Sequence, residues 1–345
     1  MSWLPRRPRL EPHLRERVRT LLRRRGLLSA DLDEVFDGSD AQRREHEFVS
    51  PTAHLGCWAP ATGRRYHLRV LAWREPEWRQ ARRRCIRDHQ TMHRLCAGRR
   101  LPFRVPVVVD SGVRALIWDL TEYADGYILP WRGHAPERLQ SFPDAVTTFT
   151  RIADSIEALT PRGVRRTDWE RFRIEMHRLH RAGRRQGWLG ERTAARLAGI
   201  IERELAASPG RREVLTHGDF NPTNVIFPYD GGVPWLIDWD LLHYSTWGAA
   251  FARLWMFTSN EPAWQASLLD ALDNSVRSPD DWGSFLLFAT YEVLRQCQHT
   301  FATDGGAPST IDELQATRPA GARMVRMYRR NLLALLDAPM VRLAD

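Results

Sequence analysis

At 345 residues, with 43% hydrophobic and 27% charged residues, the chain has the length and balance of a folded protein with one large core or two, which excludes fibrous and disordered classes. All 51 basic residues are arginine, for a net charge of +9; codon bias toward GC accounts for the missing lysine. With no nucleic-acid motif and no basic strand interleaved with aromatics, RNA or DNA is not the expected partner. The stretch up to Arg25 has no apolar segment of the secretory kind, and the most apolar helix-like run, Trp282 to Leu294, contains Glu292 and is too short for a bilayer. Cys57, Cys85, Cys96 and Cys297 lie far apart without metal spacing and read as free thiols, so a cytoplasmic protein with no membrane partner is expected. Oligomeric state is left open.

In chain order, Leu10, Leu14, Val18, Leu21 and Leu22 recur at helical spacing with arginines opposite, and Gly26 ends the helix. A short second helix over Asp31 to Phe36 completes a cap on the following domain. The period then becomes strand-like at Glu47 to Val49, Leu55 to Trp58 and Arg65 to Trp73, the last two joined by the turn Pro60-Ala61-Thr62-Gly63. Pro76 opens a long helix whose buried seam is Trp78, Ala81, Cys85, Met92 and Cys96; Asp88 flanks that seam, and Arg82-Arg83-Arg84 reads as a solvated face. Pro106 to Asp110 and Arg114 to Thr121 are the last strands of a five-stranded sheet.

The remainder is mainly helical. Helices are expected around Val146 to Ile156, after a capping box Thr167-x-x-Glu170, around Leu197 to Leu205, and near Gly248–Thr258, Pro262–Leu272, Pro279–Phe301, Ile311–Ala316 and Pro319–Leu336. Ala302 to Ser309, with Asp304-Gly305-Gly306, is a loop.

Between the helices lies the stretch that carries chemistry. A short strand, Val214-Leu215, runs into Thr216-His217-Gly218-Asp219-Phe220-Asn221-Pro222-Thr223-Asn224, a second strand covers Val225 to Phe227, and a third leads through Trp235-Leu236-Ile237 to Asp238. Gly231-Gly232 supplies the positive φ of a tight turn, so strands two and three should form a hairpin that brings Asn224 and Asp238 toward Asp219. Singly these are ordinary turn polars. As an ordered set, two acids and an amide make a hard-oxygen site for magnesium and phosphates, with one carboxylate left to orient a hydroxyl.

His217-Gly218-Asp219, four residues, Asn224, then Ile237-Asp238-Trp239 resembles the catalytic and metal-binding loops of the aminoglycoside phosphotransferase and choline kinase family. The resemblance spans about Glu47 to Trp255 and implies an α+β, bilobal protein-kinase-like fold: a five-stranded antiparallel N-lobe sheet with one long helix, and a mainly helical C-lobe. The implied divisions are 1–121 for the first lobe, 122–126 for the hinge and 127–345 for the second lobe. It implies Asp219 as the catalytic residue, Asn224 and Asp238 as magnesium ligands, and ATP or GTP as the phosphate donor. Arg69 stands where a kinase places a phosphate-holding cation, and Asp88 where a carboxylate braces it. Ser50, in Ser50-Pro51-Thr52-Ala53-His54, falls in the flap over the phosphates, and the Glu122 carbonyl and Ala124 N–H fall where the hinge recognises the purine.

One departure is plain: Ala250 stands at about the position of an aspartate that braces the catalytic loop in the family. The resemblance implies a hydroxyl-bearing small molecule as the acceptor. A polycationic acceptor needs a carboxylate-rich pocket, but the chain is basic overall, and the region from the metal site onward is notable for Trp235, Trp239, Trp247, Trp255, Trp264 and Trp282, with only scattered acids such as Asp240, Glu292, Asp304 and Glu313 to form one. A neutral, sugar-bearing acceptor such as a nucleoside or glycosylated antibiotic is therefore the expectation, which would make the protein an antibiotic-resistance kinase. Metabolite phosphorylation and non-catalytic nucleotide binding are the alternatives.

Overall fold

The computed structural model describes residues 12–30, 32, 52–71, 76–114, 116–129, 142–259, 261–275, 278–302 and 308–337. Two compact units emerge, one comprising Met1–Tyr127 with Ile226–Asp240, the other Ile128–Val225 with Leu241–Asp345.

In the first unit the helix α1 (Pro12–Arg24) is followed by strands β1 (Thr52–Ala59) and β2 (Arg64–Leu71), helix α2 (Pro76–Cys96), and strands β3 (Val108–Val113) and β4 (Ile117–Glu122). The strands form one sheet in the order β1-β2-β4-β3, every pair antiparallel. Side chains alternate across it, as the pleat requires. Leu55, Cys57, Leu68, Val70, Trp118 and Leu120 share one face and pack with Leu14, Val18 and Leu22 of α1 into a single buried cluster. The residues between them, Arg69, Leu71, Ile117 and Asp119, point the other way, where Leu71 and Ile117 meet Ile86 of α2.

Four strands are present among the described residues where five were expected; Glu47 to Val49, Ser50, most of the helix expected over Asp31 to Phe36, and Asp304 to Gly306 lie outside them. Thr52 to His54, read as flap, is the start of β1. Strands β5 (Tyr127–Ile128), β7 (Val225–Phe227) and β8 (Trp235–Leu236) form a second sheet with β7 between the others, so the expected neighbours of the hairpin are adjacent.

The second unit is helical: α3 (Phe142–Glu157), α4 (Trp169–Arg185), α5 (Glu191–Ala207), α6 (Gly248–Phe257), α7 (Pro262–Ser275), α8 (Pro279–Ala302), α9 (Ile311–Thr317) and α10 (Pro319–Asp337). The 24-residue α8 packs against α4, α5, α6 and α10. Its approach to α6 is so close that a Cβ on Gly248 would strike the Phe285 backbone. Two strands, β6 (Glu213–Thr216) and β9 (His243–Thr246), pair antiparallel beside the helices; β9 was not anticipated. Nor does Thr167 cap α4. Asp168 does, accepting from Arg171 N, while Thr167 Oγ1 donates to the Tyr244 carbonyl.

Candidate active site

The loop after β6 is built from local constraints. His217 is fully buried. Gly218 follows at φ +80°, and a Cβ there would collide with the Leu241 carbonyl, so only glycine allows both the turn and the approach. Phe220 is anchored edge-on to Phe149, with ring centroids 5.8 Å apart. Asn221 caps the single 3₁₀ turn Pro222–Asn224 by accepting from Thr223 N, and its amide nitrogen donates to Asp219.

These constraints leave Asp219 with its two oxygens in different situations. Oδ1 accepts from Asn221 Nδ2 at 3.1 Å and from Arg253 Nε at 2.7 Å, with Arg253 Nη2 also at 2.7 Å. Oδ2 accepts from Asn224 Nδ2 at 3.2 Å. That Asn224 nitrogen also donates to the Asp219 carbonyl at 2.8 Å, so the amide's donors are engaged inside the loop and its oxygen is the atom left for another ligand. Asp219 and Asn224 are thus brought together within one unit.

Arg253 reaches past Asp219 to Glu292, with Nη1 donating to Oε2 at 2.9 Å, and Arg295 Nη2 meets the same oxygen at 2.8 Å. Burial pushes the Glu292 carboxyl up to about 7; Arg253 pulls it down and Asp219 pushes it up further. Burial would lower the Arg253 pKa, but Glu292 and Asp219 outweigh it and hold the guanidinium charged.

In the first unit Arg69 and Asp119 are directly opposed across β2 and β4, and the guanidinium donates to Asp119 Oδ2 from Nε at 3.0 Å and Nη2 at 2.8 Å. Asp119 is also held by Arg82 of α2, whose Nη1 donates to Asp240 Oδ2 at 2.9 Å. Arg69 Nη1 lies 3.4 Å from Asp238 Oδ1 and 3.5 Å from Asp240 Oδ1. His89 closes the cluster. Its Nε2 meets the Pro106 carbonyl at 2.8 Å, which can only accept, so Nε2 carries the proton and Nδ1 accepts from Arg69 Nη2 at 3.3 Å. Burial pushes His89 down to about 4, in keeping with this neutral form. Burial alone would raise Asp119 and lower Arg69; the ion pairs win, holding the aspartate low and the arginine high.

Arg69 and Asp238 are therefore together, but the carboxylate that grips Arg69 most closely is Asp119, not the expected Asp88, which is half-buried on α2 beside His89. Arg82 is 3% exposed rather than solvated. Glu122 ends β4, and Ala124 follows Tyr123, whose ring lies 4.3 Å from the Arg65 guanidinium. Trp235, Trp239, Trp247 and Trp255 are core; Trp264 and Trp282 are half-buried. The residues missed by sequence reading had a signal. Asp119 is the one charged residue among Ile117 to Thr121, and Arg253 the one in all of α6; a lone charge in an apolar element needs a buried partner.

The donor set bears on a metal. Among the described residues no group of three or more His, Cys, Asp or Glu could hold one. Magnesium, however, is held by one or two protein oxygens plus phosphates and water, and the Asn224 oxygen and the Asp238 carboxylate are donors of that kind. Asp238 has φ +63°, the one described non-glycine residue with positive φ, a strained setting typical of functional positions.

Comparison with known proteins bears on the chemistry. Residues 58–288 match the family described as "Phosphotransferase enzyme family". No curated protein matches the chain. Among solved structures, a thermostable mutant of the aminoglycoside phosphotransferase APH(4)-Ia superposes with a TM-score of 0.55 at 15% identity, covering 84% of this chain and 94% of that one. The macrolide 2'-phosphotransferase MphH from Brachybacterium faecium gives 0.53 at 15% identity, covering 94% and 99%. A choline/ethanolamine kinase family protein from Mesorhizobium loti gives 0.52 at 15%, covering 89% and 95%. Identities this low speak to the fold.

Proposed function

This chain belongs to the phosphotransferase enzyme family, and we infer that it moves the γ-phosphate of ATP or GTP to a hydroxyl of a small molecule. The observation that carries this reading is the asymmetry of Asp219. One oxygen is loaded with donors, while the other, with a single donor, keeps a direction for a hydroxyl. Asp219 would accept that hydrogen bond and, late in transfer, the proton; phosphoryl transfer asks little covalent help, so alignment and charge carry the rate. Asn224 and Asp238 would hold magnesium, which when bound neutralises phosphate charge. Arg69 would face the phosphates, held in place by Asp119. Ser50 would line the flap, and Glu122 and Ala124 would meet the base through their backbones.

For the acceptor, the reading is a neutral sugar-bearing molecule, such as a nucleoside or glycosylated antibiotic. Of the four acids named for a cation pocket, Asp304 lies outside the described residues and the other three are engaged elsewhere: Asp240 with Arg82, Glu292 with Arg253 and Arg295, Glu313 with Ser309. A choline- or sugar-type metabolite remains the alternative within the same chemistry. A non-catalytic nucleotide-binding role is favoured by one observation, the near-complete burial of Arg69 among carboxylates.

The deciding experiment is a screen of ATP and GTP consumption, with magnesium, against hydroxylated antibiotics, nucleosides and amino-alcohols. Turnover on neutral sugar-bearing compounds is expected. Activity confined to kanamycin-like polyamines would reject the acceptor reading, and nucleotide binding with no turnover on any acceptor would favour the non-catalytic role.

A further inference from the structure

Arg253 is a half-buried guanidinium with an acid at each end. At one end, Nε and Nη2 both meet a single oxygen of Asp219, each at 2.7 Å. At the other, Nη1 donates to Glu292 Oε2 at 2.9 Å. The ring of Phe257 lies 5.2 Å from its Cζ. The side chains of Arg253, Asp219 and Glu292 are 14%, 20% and 12% exposed, so water screens these charges poorly and the fork is fixed in direction.

We propose that Arg253, anchored by Glu292, is the positioning residue of the catalytic carboxylate: by closing Oδ1 it makes Oδ2 the oxygen that receives the acceptor hydroxyl. This rests on the phosphotransferase reading and assigns within it a group that the motif does not contain. A carboxylate can rotate about its Cβ–Cγ bond and exchange its oxygens. A charge-assisted hydrogen bond from Nε, the Nη2 ion-pair contact beside it and the Asn221 amide all fall on Oδ1 and remove that freedom. Arg253 also supplies a brace from α6, one turn beyond Ala250, but by gripping the side chain with a cation.

The test uses the full chain and magnesium ATP or magnesium GTP, with water as the acceptor and then any acceptor the screen identifies. Arg253→Ala should lower kcat by ~10²-fold, the scale of a misplaced catalytic group, with little change in nucleotide KM. The double variant Arg253→Ala/Asp219→Asn should be no slower than Asp219→Asn alone, because the arginine acts only through the carboxylate. Guanidinium ion at sub-denaturing concentration should restore part of the Arg253→Ala rate. Should Arg253→Ala fail to fold, Arg253→Lys carries the test: a compact ammonium lacks the planar fork that fixes Oδ1, so kcat should still fall, by less than ~10²-fold. A normal kcat in either variant, or strictly additive losses in the double variant, overturns the proposal. Absence of nucleotide turnover in the wild type overturns the phosphotransferase reading instead.

Discussion

At the scale of single residues, two acids of the second unit give separable expectations. Asp219→Asn keeps the shape of the side chain but removes the proton acceptor, so turnover should fall by at least ~10²-fold with nucleotide affinity nearly unchanged. Near-normal turnover would show that Asp219 has no acid–base role. Glu292 speaks to stability. Its carboxyl is raised from 4.5 to about 7, chiefly by burial, so folding favours the neutral form. The resulting stabilisation is complete below the ordinary carboxyl value and is lost as pH rises through about 7. Glu292→Gln is neutral at every pH and escapes that loss. Urea unfolding across this range should therefore show the variant gaining on the wild type with rising pH, by ~3 kcal/mol at the very most. Parallel stability curves would contradict the assignment.

At the scale of elements, the first sheet shows what patterning can and cannot convey. Alternation along β1, β2 and β4 is legible because one face is apolar throughout, and the ordered loop of His217, Gly218, Asp219 and Asn224 is legible because so few backbones need that set. The partner of Arg69 was not, because register decides it: Asp119 lies fifty residues away in sequence and opposite only once β2 and β4 pair. The family resemblance offered Asp88 and helix-face reading treated Arg82 as solvated, whereas Arg82 and His89 are the residues of α2 that reach the Arg69–Asp119 pair. Removing Asp119 leaves two buried arginines short of a carboxylate, so Asp119→Ala should lose about 3–5 kcal/mol. Asp88→Ala should lose less than Asp119→Ala, because Asp119 is the carboxylate both buried arginines hold. Denaturant unfolding of the pair distinguishes the braces, and equal losses would restore Asp88 to the role.

For the whole molecule, α1 is part of the first unit's core. Leu14, Val18 and Leu22 each bury a side chain against the sheet, at about 1.5–3 kcal/mol apiece, so a chain lacking residues 1–25 should melt well below the full chain or fail to fold. An unchanged melting temperature would mean that the sheet is self-sufficient. The interleaving of the two units has a further consequence, for synthesis. The ribosome delivers Met1–Tyr127 and then the helices and loop of Ile128–Val225 before it releases Ile226–Asp240, the last piece of the first unit. Throughout that interval Arg69 and Arg82 have Asp119 but neither Asp238 nor Asp240, two cations facing one anion. The amino-terminal unit therefore waits, incomplete and electrostatically unbalanced, while the middle of its partner is translated, and a nascent chain stalled before Ile226 is the form most in need of a chaperone.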